Sequence, residues 1–301
     1  MYLTETQKKD YYLIRYLAEQ VFSEPIIAIS PLSNGWISDS YEINGHLIFK
    51  LPTKRTPIDN WIRVSQCAPA IQKHLSYKIP LPKLKPVFLN STSQDFLLSS
   101  SYKKIYGNVI SSEDFSKEDL SFKKRFFEQL SDALIELHSV DPTCLPQKLQ
   151  TAEEFFQKFF GMQIAQASPT QQKWAQKIFS SCLSGLKNKP HDVLCHSDLR
   201  ASNICLNCRS EFVGILDFDS LNQGNSFVEF HPRLYWHEKD TELFRQIYEK
   251  RSKKTIAEDN IKEMRKIYRG LYGLRAVVNG LQKTEKITHS LTHLFKGKDS
   301  R

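Results

Sequence analysis

A histidine, an aspartate and an asparagine fall at the spacing H-x-D-x-x-x-x-N in Val193-Leu194-Cys195-His196-Ser197-Asp198-Leu199-Arg200-Ala201-Ser202-Asn203-Ile204-Cys205-Leu206, with apolar residues on both sides. A second carboxylate closes the next apolar run, Gly214-Ile215-Leu216-Asp217-Phe218-Asp219. An acid, an amide and a further acid at neighbouring strand ends suit phosphoryl transfer from ATP. The transition state of that reaction is loose, with charge spread over phosphate oxygens, so catalysis is mostly positioning and charge neutralisation. Asp198 is the candidate base for the proton of an attacking hydroxyl. Asn203, through its amide oxygen, and Asp217, through its carboxylate, are hard donors of the kind Mg²⁺ prefers. By chance the spacing occurs in about one chain in thirty of this length. The following strand that ends in Asp217 makes coincidence a poor explanation.

The elements that must hold these groups are of two kinds. To about residue 100 the chain reads as β-rich, with a helix or two. Asn44-Gly45 lies between Ser40–Ile43 and His46–Leu51 and is a strong hairpin signal, because both turn residues need positive φ. A two-residue turn sets 43 opposite 46, 41 opposite 48 and 39 opposite 50, which makes Asp39 the cross-ladder partner of Lys50. Trp61, Ile62, Val64, Ala68, Ile71 and Leu75 form a helical pattern that Pro69 is expected to kink. A strand near Phe96-Leu97-Leu98 runs into Ser99-Ser100-Ser101, read as the crossover between lobes. The remainder is mainly helical. Phe126, Leu130, Leu134 and Leu137 make a stripe stopped by Asp141-Pro142. Further helices are expected over 153–160, 171–186, 241–251, 257–272 and 274–282, and strands over 193–195, 204–206 and 212–216. This order predicts an α+β chain of two unequal lobes, residues 1–100 and 101–301.

Composition narrows the class. With 301 residues, 40% hydrophobic and 25% charged, the chain has the make-up of a globular protein with room for two cores. No apolar run reaches the roughly 20 residues needed to span a bilayer, and residues 1–22 carry an amphipathic helical pattern rather than a signal peptide. A cytoplasmic location without membrane attachment is the expectation. Six cysteines do not suggest a disulfide framework, and Cys205-x-x-Cys208 has no second pair to complete a zinc site. The net charge of +9 is scattered over clusters that sit beside acids. Without an Arg-rich arm, zinc finger or RNP-type motif, nucleic acid is not the expected partner.

The residues also carry a resemblance. Cys195-His196-Ser197-Asp198 to Asn203, followed by Ile215-Leu216-Asp217-Phe218, resembles the H-G-D-x-x-x-x-N and I-D-[FW] motifs of aminoglycoside phosphotransferases and choline kinases. Gly35 to Pro52 is similar, without gaps, to that family's nucleotide-binding hairpin. Leu137-His138-Ser139 resembles its L-H-S helix end, and Tyr102 to Gly107 its segment just after the interlobe hinge. The resemblance implies a bilobal protein-kinase-like fold, with a small β-rich N-lobe, a larger mainly helical C-lobe, and ATP, or GTP as the alternative, bound with Mg²⁺ in the cleft. It makes Lys50 the cation on the α/β-phosphates and 33–38 the phosphate-covering loop, with Ser33, Gly35 and Ser38 as contacts. The adenine edge is expected at backbone around Ser99 to Ser101. Asp198 becomes the catalytic base, and Asn203 and Asp217 the Mg²⁺ ligands.

Three departures from the family pattern follow. Ser197 replaces the glycine before the catalytic acid, which matters if that position needs positive φ. The helix acid that would pair with Lys50 is absent, since Ser65 to Ala68 holds no carboxylate; Asp39 or the phosphates would take its place. Gly224-Asn225-Ser226 lacks the family's downstream acid and leaves Glu229 nearest. His196 is read as a structural group bonded to backbone near Asp217, and Asp219 as a third metal-proximal carboxylate or, in preference, an N-cap. The expected acceptor is a small-molecule hydroxyl. A basic chain argues against a polycationic aminoglycoside, whose pocket wants many carboxylates. The alternative is a catalytically weak ATP-binding protein that acts through a protein partner.

Overall fold

The computed structural model describes residues 10–34, 37–53, 56–90, 96–165, scattered positions from 168 to 180, 192–230, 238–265 and 267. In chain order its principal elements are α1 (Tyr11–Glu19), β1 (Ile29–Asn34), β2 (Ser38–Ile43), β3 (Leu47–Pro52), α2 (Ile58–Gln72), β4 (Lys83–Phe88) and β5 (Phe96–Lys103). They are followed by α3 (Ser112–Lys117), α4 (Leu120–Ser139), α5 (Ala152–Ile164), β6 (Val193–Cys195), β7 (Ile204–Leu206), β8 (Phe212–Ile215), β9 (Asn222–Gly224) and α6 (Glu238–Ser252). The helix expected over 274–282, and most of that over 171–186, lie outside the described residues. The chain forms two compact units. The first runs to Asn108 and takes in Thr143–Leu149 and Ile204–Asp219; the second holds Val109–Pro142, Gln150–Asn203 and the chain from Ser220. The second half of the motif region thus belongs with the first unit.

The first unit is built on a five-stranded antiparallel sheet in the order β1-β2-β3-β5-β4. Helix α1 starts where the Asp10 carboxylate accepts the N–H groups of Tyr12 and Leu13. It buries Ile14, Leu17 and Ala18 against Ile43, Phe49, Leu51, Val87 and Leu97 of the sheet. Each large aliphatic side chain so buried contributes about 1.5–3 kcal/mol. Helix α2 runs through Pro69, which sits in its last turn. At Gly214 a side chain would strike the Lys78 carbonyl. That close approach lets β8 bond Lys78 on both sides, through Val213 O and Ile215 N.

The hairpin turn has the backbone the sequence predicts, with φ of 53° at Asn44 and 77° at Gly45. Its register does not. The strands close at Ile43 opposite Leu47, which leaves His46 as an extra residue in the loop. Asn44 and His46 are both engaged: the Asn44 side chain accepts from Ile27 N and Ala28 N and donates to Glu24, while the His46 ring meets Glu24 and Asn44 O. The register therefore slips by one, and Lys50 stands opposite Ser40 while Asp39 stands opposite Leu51. Asp39 is not the cross-ladder partner of Lys50.

Ser99-Ser100-Ser101 also moves. These residues lie inside β5, paired to β3 through Lys50–Ser100 and Phe49–Ser101, and to β4 through Ser99–Lys85, Ser100–Leu84 and Ser101–Lys83. All three are buried, because the centre of a sheet buries backbone whatever the side chain. The chain leaves the sheet only after Lys103.

In the second unit α4 begins at Asp119, whose carboxylate accepts the Phe122 N–H at 2.7 Å. It packs on α6 through stacked Phe127 and Phe244, with ring centroids 5.2 Å apart, and through His138, whose Nδ1 lies 2.8 Å from the Tyr248 hydroxyl. Burial pulls the His138 pKa down to about 3, so this ring is a neutral core group. Strands β6 and β9 pair antiparallel and frame the loop that begins at His196. Among the described residues no helix is long and apolar enough to cross a membrane.

Candidate active site

In the first unit, Lys50 projects from the middle of β3 and is buried. Its Nζ donates to Asp219 Oδ2 at 2.6 Å and to Asp217 Oδ1 at 3.0 Å. Both carboxylates arrive just after β8: Asp217 in the left-handed region with φ of 58°, and Asp219 in the short 3-10 turn Phe218–Ser220. Ser38 of β2 donates its hydroxyl to Asp219 Oδ2 at 3.4 Å, and Asn60 of α2 donates its amide to Asp219 O at 2.9 Å. Burial alone would pull the Lys50 ammonium down. The charges of Asp217 and Asp219 outweigh it and hold the pKa well above the ordinary value. Burial raises the Asp219 carboxyl against the pull of Lys50. The nearby Tyr102 phenol, chiefly through burial, is pushed up to about 12 and stays neutral.

In the second unit, the loop from His196 to Asn203 is organised by its own backbone. Glu229 Oε1 accepts the N–H of His196 and that of Ser197, the latter at 3.3 Å. The His196 ring accepts the Asp198 N–H at Nδ1, 3.2 Å away, which fixes its tautomer with the proton on Nε2. His196 is thus structural as expected, but its contact here is the start of its own loop. The Asn203 amide reaches back to Asp198 O at 2.9 Å and closes the loop. Asp198 is largely buried, and one of its carboxylate oxygens lies 3.6 Å from the Arg200 guanidinium. Ser197 adopts φ of 59°, the left-handed conformation that favours glycine. Its Oγ accepts from the Asn222 amide at 2.7 Å. Burial pushes the Glu229 carboxyl up to about 7, against the two N–H bonds that favour its charged form.

Several expected site residues land differently. Ser99 and Ser101 donate their hydroxyls to Lys85 O and Lys83 O at 2.8 and 3.4 Å, so side chain and backbone alike are committed to the sheet. The backbone of Ser33 pairs with Ser40, and Gly35 lies outside the described residues. Asp219 caps no helix; it binds Lys50. Asp219 and Glu229 are the two groups whose roles the sequence reading missed. The signals were there: a second acid two residues after Asp217, and the first acid after Gly224-Asn225-Ser226. In the CxxC pair Cys205 is buried while Cys208 is exposed. Burial raises the Cys205 thiol, which disfavours a reactive thiolate.

The model of the phosphotransferase enzyme family matches residues 28–265, which span the hairpin, both acid motifs and Glu229. The chain belongs to the phosphotransferase enzyme family. No curated protein matches it. Solved structures of similar fold include the GDP complex of wild-type aminoglycoside 2'-phosphotransferase-IIIa (TM-score 0.69, 14% identity, 95% of this chain and 98% of that one). ADP-bound aminoglycoside phosphotransferase APH(2'')-Ib is another (TM-score 0.61, 18% identity, 95% and 97%). A third is the apoenzyme of macrolide 2'-phosphotransferase MphH from Brachybacterium faecium (TM-score 0.57, 12% identity, 97% and 100%). The phosphotransferase fold of this chain is therefore kinase-like, with a β-rich N-terminal region and a mainly helical C-terminal one.

The phosphotransferase also carries donors that fit a divalent cation. The Asn203 amide nitrogen is spent on Asp198 O, which leaves Oδ1 as the oxygen on offer. The Asp217 side chain is 33% exposed, against 18% for Asp219. Hard oxygens without His or Cys suit Mg²⁺, which keeps waters and phosphate oxygens as its other ligands. Among the described residues no group of three or more His, Cys, Asp or Glu forms a cage.

Proposed function

We propose that the protein transfers the γ-phosphate of Mg²⁺-bound ATP to a hydroxyl group of a small molecule other than a polycationic aminoglycoside. The observation that carries the reading is the buried Lys50 ammonium bonded to Asp217 and Asp219, in a chain whose Asp198 stands on a backbone-organised loop. Lys50 offers a fixed cation to the α/β-phosphates, which Ser33 and Ser38 contact. The nucleotide base is read by the chain beyond Lys104, whose own N–H still goes to His46 O. Asn203 and Asp217 would hold Mg²⁺, which would supply charge neutralisation at the phosphate oxygens. Asp198 orients the acceptor hydroxyl and takes its proton as the new O–Pγ bond forms and the Pγ–O bond to the β-phosphate breaks, releasing ADP. Asn203, by closing the loop onto Asp198 O, keeps that carboxylate in place.

The small-molecule acceptor is chosen on charge: a net +9 chain is a poor host for a polycation. The test is a panel of hydroxyl-bearing acceptors, kanamycin among them, scored by nucleoside diphosphate release with Mg·ATP and with Mg·GTP. Turnover with a neutral or anionic acceptor is expected. Efficient turnover with kanamycin overturns the acceptor class. Nucleotide binding without turnover against any acceptor favours a protein that acts by binding a partner.

A further inference from the structure

The acid of helix α2, Asp59, is exposed in its first turn, and Ser65, Gln66, Cys67 and Ala68 carry no charge. The Lys50 side chain is nevertheless only 5% exposed, where a lone cation is costly. Asp219 makes the shorter of its two ion pairs and is the less exposed of the two acids. It is gripped at its carboxylate by Ser38 from β2 and at its main-chain oxygen by Asn60 from α2. Asn60 is fully buried, so helix α2 is fastened to the Asp219 backbone.

We infer that Asp219 is the positioning partner of Lys50, holding its ammonium for the nucleotide phosphates in place of an acid on α2. An ammonium has three donors. Two go to Asp217 and Asp219, and one is left for a phosphate oxygen. Asp217 is the more open carboxylate, 33% exposed against 18%, and suits a cation better; Asp219 stays with the lysine. Helix α2 thus contributes through the Asn60 amide, which holds the Asp219 backbone. This inference rests on the nucleotide-binding reading above and assigns a residue within it.

The test is the affinity of the full chain for a fluorescent ADP analogue, measured once with Mg²⁺ and once with EDTA. The variants are Asp219→Asn, Asp219→Glu, Lys50→Met and the double variant Lys50→Met/Asp219→Asn, with thermal melting as a check on folding. Asp219→Asn is expected to weaken binding about ten-fold with and without Mg²⁺, the scale of one bond to a charged group. Asp219→Glu should recover part of that loss. In the Lys50→Met background, Asp219→Asn should change affinity by less than about two-fold, because the partner is already gone. Ser38→Ala, a milder change should Asp219→Asn fail to fold, is expected to weaken binding about two-fold, as suits a long hydrogen bond. A loss seen only with Mg²⁺ would make Asp219 a cation ligand and overturn the assignment. So would a full ten-fold loss on top of Lys50→Met. A wild-type chain that binds neither the ADP nor the GDP analogue overturns the nucleotide reading itself, and this inference with it.

Discussion

The two groups of candidate residues are held by different physics. Around Lys50 the first unit uses charge: one buried cation against two carboxylates 167 and 169 residues away in sequence. Around Asp198 the second unit leans on hydrogen-bond geometry, with main-chain N–H groups on Glu229, an imidazole on the Asp198 N–H and an amide on Asp198 O, and only a long Arg200 ion pair at 3.6 Å beside them. The contrast follows from the tasks. A cation meant for phosphates must stay charged in a dry place, which only nearby anions make tolerable. A base must be aimed at its proton, and aim comes from backbone bonds. The first group should therefore be sensitive to loss of charge and the second to loss of shape.

Three substitutions can break that contrast. Lys50→Met leaves Asp217 and Asp219 facing each other without a cation and should cost about 3 kcal/mol of stability in thermal or denaturant unfolding. A cost near zero would mean the two acids need no counter-charge. Glu229→Ala strands two buried N–H groups and should cost roughly 2–4 kcal/mol. Glu229→Gln keeps an acceptor oxygen and should cost less than about 1 kcal/mol at pH 5. The same pair tests pH. The Glu229 carboxyl sits at about 7 when folded and near 4.5 when unfolded, so folding favours its protonated form. Its contribution is complete below 4.5 and fades as the pH rises to 7 and beyond, by roughly 3 kcal/mol at most. Stability of the Gln variant should be flatter across that window and gain on wild type at pH 8. An unchanged slope would show that Glu229 is not the titrating group.

Ser197 gives the smallest and sharpest comparison. Ser197→Ala and Ser197→Gly both lose the acceptor that Asn222 uses. Only glycine relieves the left-handed backbone at φ of 59°. Glycine should therefore be more stable than alanine there by about 1 kcal/mol in denaturant unfolding, the reverse of their order in a helix or strand. Alanine equal to or better than glycine would remove strain from the description of this loop.

The parts legible in the sequence were those governed by local periodicity and spacing. Strands at 193–195, 204–206 and 212–215, and the helix carrying Phe126, Leu130, Leu134 and Leu137, are where their apolar patterns put them. Side-chain types at fixed spacing named Asp198, Asn203 and Asp217 as candidates, and the family resemblance added Lys50. What stayed hidden depends on long-range contact. The hairpin register turned on His46, an extra loop residue held by Glu24 from outside the hairpin. A serine run gave no sign of being the buried middle of a five-stranded sheet. Asp219 looked like a cap because nothing local announces an ion pair across 169 residues. Ser197 lay between these cases: its backbone was named as the deciding quantity, and only the structure could supply it.

The central claim is that Asp198 is the base of a phosphoryl transfer. It is tested most directly by following transfer of labelled γ-phosphate from Mg·ATP to the best acceptor of the panel, wild type against Asp198→Asn, with nucleotide affinity measured alongside. The expected result is a loss of transfer of about 10²–10⁴-fold with nucleotide affinity kept within about two-fold. Transfer at the wild-type rate in the Asn variant would contradict it.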